Sequence, residues 1–142
     1  FWITVGPQAA ADASTLTPTF STWSGAAINA SALTDGSTLT TGITTTPAGN
    51  KNLITTFPQP ARITQIRFFL GSAATWNITI CQFGSTCEPG NQGTNTWQLV
   101  AGNGTNTASG WITVTGIDLI ASRIAINFAQ VGAKVNEIEF SP

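Results

Sequence analysis

Arg123-Ile124-Ala125-Ile126-Asn127-Phe128-Ala129 sets Ile124, Ile126 and Phe128 on alternate positions, with Ala125, Asn127 and Ala129 between them. Successive side chains of a β-strand point to opposite faces, so this stretch predicts a strand with one side in a core. Ile66, Phe68 and Leu70 repeat the pattern, with Arg67 and Phe69 facing away. Outward from these two stretches, apolar residues recur with period two in short runs separated by Gly, Pro, Asn and Thr, and none carries a helical period. The predicted strands are 1–5, 19–23, 53–57, 63–70, 75–81, 96–101, 111–115, 123–129 and 134–140. About nine short strands with regular turn signals predict an all-β domain, a sandwich or jelly roll, with long loops at 44–52 and 83–95 at its ends.

The 142 residues suit one domain with a single core. Only 8% are charged, against roughly 25% in ordinary soluble domains, and the chain has no His, Met or Tyr. A net charge of −1 leaves no clustered cations for nucleic acid or anionic lipid. No run of about 18 apolar residues could insert in a bilayer, so neither nucleic acid nor membrane is an expected partner. The first residue is Phe1, and the expectation is a secreted, extracellular or cell-surface chain whose signal peptide has been removed.

Cys81 and Cys87 enclose five residues. Two cysteines without histidine make a poor metal set, and the spacing suits a small disulfide contributing about 2 kcal/mol; the other reading is two reduced, buried thiols. Sequons at Asn29-Ala30-Ser31, Asn77-Ile78-Thr79 and Asn103-Gly104-Thr105 are glycosylation candidates, although ten Asn in a chain one-quarter Ser and Thr produce such triplets by chance. Among them Asn77 is favoured, because Trp76, Ile78 and Ile80 alternate inward and leave Asn77 and Thr79 facing out.

Ala27-Ile28-Asn29-Ala30-Ser31-Ala32-Leu33-Thr34-Asp35-Gly36-Ser37-Thr38-Leu39-Thr40 carries an Ala, Asp-Gly and Thr signature. Four further segments follow in order: Pro60-Ala61-Arg62-Ile63-Thr64-Gln65-Ile66-Arg67-Phe68, Asn95-Thr96-Trp97-Gln98-Leu99-Val100, Ser122-Arg123-Ile124-Ala125-Ile126, and Val135-Asn136-Glu137-Ile138-Glu139-Phe140. Together they resemble the discoidin (coagulation factor 5/8 type C) and galactose-binding-like domain family. The resemblance covers roughly residues 20–140. It implies a single jelly-roll β-sandwich, here residues 18–142, in an extracellular setting, with carbohydrate or surface binding through loops at one end. No cofactor is required, but the resemblance implies a structural calcium held by Asp35, the Thr40 oxygen, loop carbonyls and Glu137. Ser37, Leu39 and Gly42 depart from the family pattern there, and Asp35-Gly36 also reads simply as a turn.

An enzyme is not expected. Without His or a free cysteine nucleophile, the only acids are Asp12, Asp35, Glu88, Asp118, Glu137 and Glu139. Trp76, Trp97 and Trp111 sit in strand patterns and read as core or half-buried; Trp23 reads either as core or as a surface on which a sugar stacks. Arg62 and Arg67 offer planar donor forks to sugar hydroxyls, or stand ion-paired on their strands.

Residues 1–17 are read as an N-terminal extension strand and connector. Phe1, Trp2, Ile3 and Val5 form an apolar strand before Gly6-Pro7, and Trp2-Ile3-Thr4-Val5 recurs as Trp111-Ile112-Thr113-Val114. Such a strand pairs with its own sheet or, by strand addition, with a neighbouring copy. Scarce surface charge favours the second, so the leading expectation is a non-catalytic extracellular structural subunit that self-associates into a filament or surface assembly. The alternative is a monomeric lectin-like module whose partners are glycans.

Overall fold

The alternation at 123–129 lies in the central strand of a two-sheet sandwich. The computed structural model describes residues 10–22, 27–47, 51–83, 87, 97–102 and 106–141. Phe1, Trp2, Ile3, Val5, Trp23 and Asn103 lie outside the described residues. The strands are β1 Ala11–Asp12, β2 Thr19–Ser21, β3 Ile43–Thr44, β4 Asn52–Ile63, β5 Gln65–Leu70, β6 Ala74–Gln82, β7 Gln98–Ala101, β8 Asn106–Thr107, β9 Gly110–Val114, β10 Leu119–Phe128 and β11 Lys134–Ser141. One sheet runs β1-β4-β10-β6-β7, with β2 also on β4 and β8 also on β6; the other runs β3-β11-β5-β9. The only described helical pieces are short 3-10 turns at Ala13–Thr15 and Ala30–Thr34, so no described helix is long and apolar enough to cross a membrane.

Inward residues of both sheets interdigitate as the period-two pattern requires. Ile66, Phe68 and Leu70 of β5, Ile78 and Ile80 of β6, and Ile124 and Ile126 of β10 are fully buried in one cluster. Phe57 of β4 meets Phe140 of β11 with ring centroids 5.2 Å apart, and Phe68 of β5 meets Trp76 of β6 at 5.1 Å. These contacts stack β4 on β11 and β6 on β5. Part of the expected connector is built into this sandwich: Ala11–Asp12 pairs in parallel with Ala61 and Arg62, and Ala13 is buried in the core.

Three expectations need correction. The predicted strand 63–70 is two strands, broken at Thr64: Ile63 ends β4 in the larger sheet and Gln65 opens β5 in the smaller. The predicted strand 53–57 extends to Ile63 through Pro58 and Pro60. Between the pairs Arg123↔Thr56 and Ala121↔Ala61, residues 57–60 stand opposite Ser122 alone, so both prolines sit in a bulge where the ladder does not need their missing N–H. The far side of β10 is not simply solvent-facing, because Ala125 is buried with Ile54, Cys81, Cys87 and Trp97 in a second, smaller cluster on the sheet's outer face.

Candidate functional site

Since β10 is antiparallel to both β4 and β6, the start of β10 and the ends of β4 and β6 meet at one end of the sandwich. There Arg62, opposite Ile120, donates from Nη1 to Asp118 Oδ1 at 2.7 Å. The Phe83 N–H donates to the Ile120 carbonyl at 2.8 Å, which fixes the residue after β6 against β10. Gln82 Nε2 donates to Gln98 Oε1 across the adjoining strand. Phe83 (55%), Leu99 (58%) and Ile120 (38%) remain exposed. Arg62, Gln82, Phe83, Asp118, Leu119 and Ile120 line an open cleft of about 380 Å³, which adjoins a second of about 410 Å³ through shared Asp118 and Leu119. Apolar surface beside a guanidinium, a carboxylate and amides provides contact for sugar C–H groups and hydrogen bonds for hydroxyls. Arg62 was a candidate from sequence. Phe83, Ile120 and Asp118 were not, since they join it only through the strand ends.

Arg67 lies elsewhere, on the outer face of the smaller sheet. Its Cζ sits 3.8 Å from the Trp111 ring centroid, and Nη1 donates to Glu139 Oε2 at 3.3 Å. Phe69 meets Trp111 edge-on at 5.5 Å. This cluster crosses β11, β5 and β9 and leaves Trp111 37% exposed, so Trp111 is not the core or half-buried residue expected from sequence: it lies on the outer face of the smaller sheet. Arg62 and Arg67 therefore do not form one site.

Asp35 and Glu137 do come together. The turn after Ala30–Thr34 packs on β11, where the Gly36 N–H donates to Glu137 Oε1 at 3.3 Å; Asp35 Oδ1 accepts from the Ser37 N–H at 2.8 Å. Glu137 is 3% exposed and its Oε2 has no partner. Burial pushes its carboxyl up to about 7, and neighbouring Asp35 adds to the shift while the Gly36 hydrogen bond opposes it. Thr40 is exposed; Thr38 is the residue tied to β11, its carbonyl accepting from Asn136 Nδ2 at 2.9 Å. Among the described residues no third acid, His or Cys joins the pair.

Cys81 and Cys87 form a disulfide, with Cα atoms 6.0 Å apart. Of the sequons, Asn29 is exposed and its Oδ1 accepts from Ser31 Oγ at 3.0 Å. Asn77 is half-buried and its Oδ1 accepts from Asn127 Nδ2 at 2.9 Å, while Thr79 is buried on the same outer face.

No family model matches the chain, and no curated protein matches it. Solved structures do. Chitosan-binding module 1 from a chitosanase/glucanase of Paenibacillus sp. IK-5 is 19% identical with a TM-score of 0.65, covering 89% of this chain and 95% of its own. The family 32 carbohydrate-binding module of Clostridium perfringens NanJ, in complex with galactose, is 19% identical with a TM-score of 0.61, covering 88% and 92%. CBM32-1 from a family 31 glycoside hydrolase of Clostridium perfringens is 13% identical with a TM-score of 0.61, over 88% and 94%. The fold is therefore the discoidin-like, galactose-binding-like jelly roll that the sequence resembles.

Proposed function

We propose that this chain is a non-catalytic carbohydrate-binding module that takes a saccharide at the sandwich end formed by Arg62, Phe83, Asp118 and Ile120. The observation that carries the reading is the exposed Phe83 and Ile120 surface beside the Arg62–Asp118 ion pair in one open cleft. The apolar pair meets a sugar's C–H face, and the charged pair presents planar donors and acceptors to its hydroxyls. Likeness to carbohydrate-binding modules supports this reading over that of a purely structural subunit. The formed disulfide supports an extracellular setting, since such bonds persist in oxidising compartments.

Asp35 and Glu137 are proposed to hold a structural calcium. Two hard carboxylates, one with a buried unpartnered oxygen, are the donor type that ion takes. Asp35 and Glu137 would hold such an ion, whose charge would offset theirs where the turn after residue 34 packs on β11.

A glycan array read with and without chelator, followed by titration calorimetry, tests the reading. Retention of a saccharide by the chain, with at least tenfold weaker binding by Phe83→Ala, is expected. No retained glycan in either condition overturns it.

A further inference from the structure

The sequons divide by where the fold puts their side chains. Asn77 stands within β6 on the outer face of the larger sheet, opposite Asn127 of β10. Its amide accepts from Asn127, Gly102 packs against its Cα and Cβ, and the Thr79 that completes its triplet is 1% exposed. Asn29 has none of this crowding. It and Ser31 are both exposed, at the entry to the 3-10 turn Ala30–Thr34. The Ser31 hydroxyl holds Asn29 Oδ1 towards the chain, and among the described residues no group accepts from Nδ2.

The backbone under Asn29 is fixed. Ile28 makes an isolated antiparallel bridge with Ile43 of β3, the Asn29 N–H donates to the Gly42 carbonyl at 2.8 Å, and the Gly42 N–H donates to the Val135 carbonyl of β11 at 2.9 Å. Asn29 thus stands on the outer edge of the smaller sheet, beside an open groove of about 480 Å³ that Ala27, Ile28 and Ile43 line. Sheets guard such edges with Lys, Pro or a covering group. Residues 27–46 contain no Lys, Arg or Pro, and Asp35 is their only charge. From Lys134, beside β3, β11 runs to Ser141, beside Gln65 and the corner that leads to the Arg62 cleft. Seven strand steps span about 23 Å, so this edge and the cleft lie at opposite ends of the sandwich.

We infer that Asn29 carries an N-linked glycan that covers this edge. The inference rests on the extracellular setting proposed above and not on the saccharide cleft. In the transfer, Asn29 Nδ2 bonds to the anomeric carbon of an oligosaccharide, the bond from that carbon to a lipid-linked phosphate breaks with its electron pair leaving on the phosphate, and Nδ2 gives up one proton. The attached glycan supplies hydration where the chain has almost no charge. Being at the far end from Arg62 and Phe83, it leaves the cleft open.

The test takes the full chain secreted by a eukaryotic host and digests it with trypsin. The product ending at Lys51 contains the Asn29 sequon alone, whereas Asn77 and Asn103 both fall in the product 68–123. Mass spectrometry should show the first product heavier by an oligosaccharide, and Ser31→Ala, which keeps Asn29 itself, should restore the unmodified mass. Without the glycan that variant should stay soluble only to a several-fold lower concentration, with its circular dichroism spectrum and saccharide affinity unchanged. An unmodified product ending at Lys51 overturns the proposal, whatever the product 68–123 carries. Equal solubility of the two chains overturns the covering role. The masses are read with no saccharide added, so a chain that binds no saccharide leaves them standing and the two readings fail separately.

Discussion

Gly36 and Glu137 are joined across 101 residues by a single hydrogen bond from the Gly36 N–H to Oε1, while Oε2 of the same buried carboxyl has no partner. The folded state therefore holds a proton on Glu137 that an unfolded carboxylate would release, its value rising from 4.5 to about 7. A group whose folded value is raised supports the fold fully below its unfolded value and loses that support as pH rises through the folded one. Metal-free protein is thus expected to lose stability between pH 4.5 and about 7, by on the order of 3 kcal/mol. Calcium should remove most of that loss by replacing the proton, and Glu137→Gln should flatten both the pH and the calcium dependence. Thermal melts in chelator and in calcium check this. An unaltered pH slope in Glu137→Gln would assign the effect to other groups.

The outer-face cluster around Trp97 supplies a second prediction. Trp97 is 4% exposed and packs with Ile54, Ala125 and the Cys81–Cys87 bridge, separately from the main core. Trp97→Ala should cost about 3 kcal/mol, as large-to-small changes at buried aromatics do. Replacing both cysteines by serine should cost about 2 kcal/mol, in line with closing so short a loop. Since both hold the same cover on the sheet, the combined variant should lose less than the sum. Urea unfolding of the three variants measures the difference, and strict additivity would separate the two.

Glycines at positive φ should divide by their surroundings. At Gly102 (φ 88°) a Cβ would press on the Trp76 carbonyl oxygen and lie 2.6 Å from Asn77 Cα, both on β6. At Gly36 (φ 78°) it would meet nothing within 4 Å. Gly36→Ala should cost about 1 kcal/mol from the left-handed backbone alone. Gly102→Ala should cost several-fold more, because β6 cannot yield without shifting its pairing with β10. Equal losses in urea melts would mean that the close approach is relieved cheaply.

Alternation made β6 and β10 legible in sequence, since each keeps one face in the core along its middle. The same signal misread 63–70, where the apolar pattern runs on through Thr64 while the chain changes sheet, a step that only tertiary pairing reveals. Ala125 seemed to face solvent because its cover, Cys87 and Trp97, comes from residues far along the chain. The Asp35–Glu137 pair was legible only through family resemblance, as local periodicity has nothing to say about residues a hundred positions apart. Arg62 could be proposed from its chemistry, but its partner Asp118 and the exposed Phe83 required the antiparallel register that gathers three strand ends.

That register also allows binding and stability to be separated at the cleft. The Arg62 and Asp118 side chains are 47% and 75% exposed, so their ion pair stands in water and contributes less than about 1 kcal/mol to folding. Asp118→Asn keeps the shape and an acceptor oxygen but removes the charge that orients the guanidinium. Its melting temperature should therefore stay close to that of the unaltered protein. Saccharide affinity should fall, because hydrogen bonds involving an ionised partner are roughly twice as strong as neutral ones. Arg62→Lys should fall further, since a point-like ammonium replaces a planar fork that can span two hydroxyls. Calorimetric titration with the best glycan from the array, alongside melts of both variants, gives the two quantities independently. Unchanged affinity in both variants would move the saccharide away from this end of the sandwich, whereas a large drop in stability would mean that the pair serves the fold.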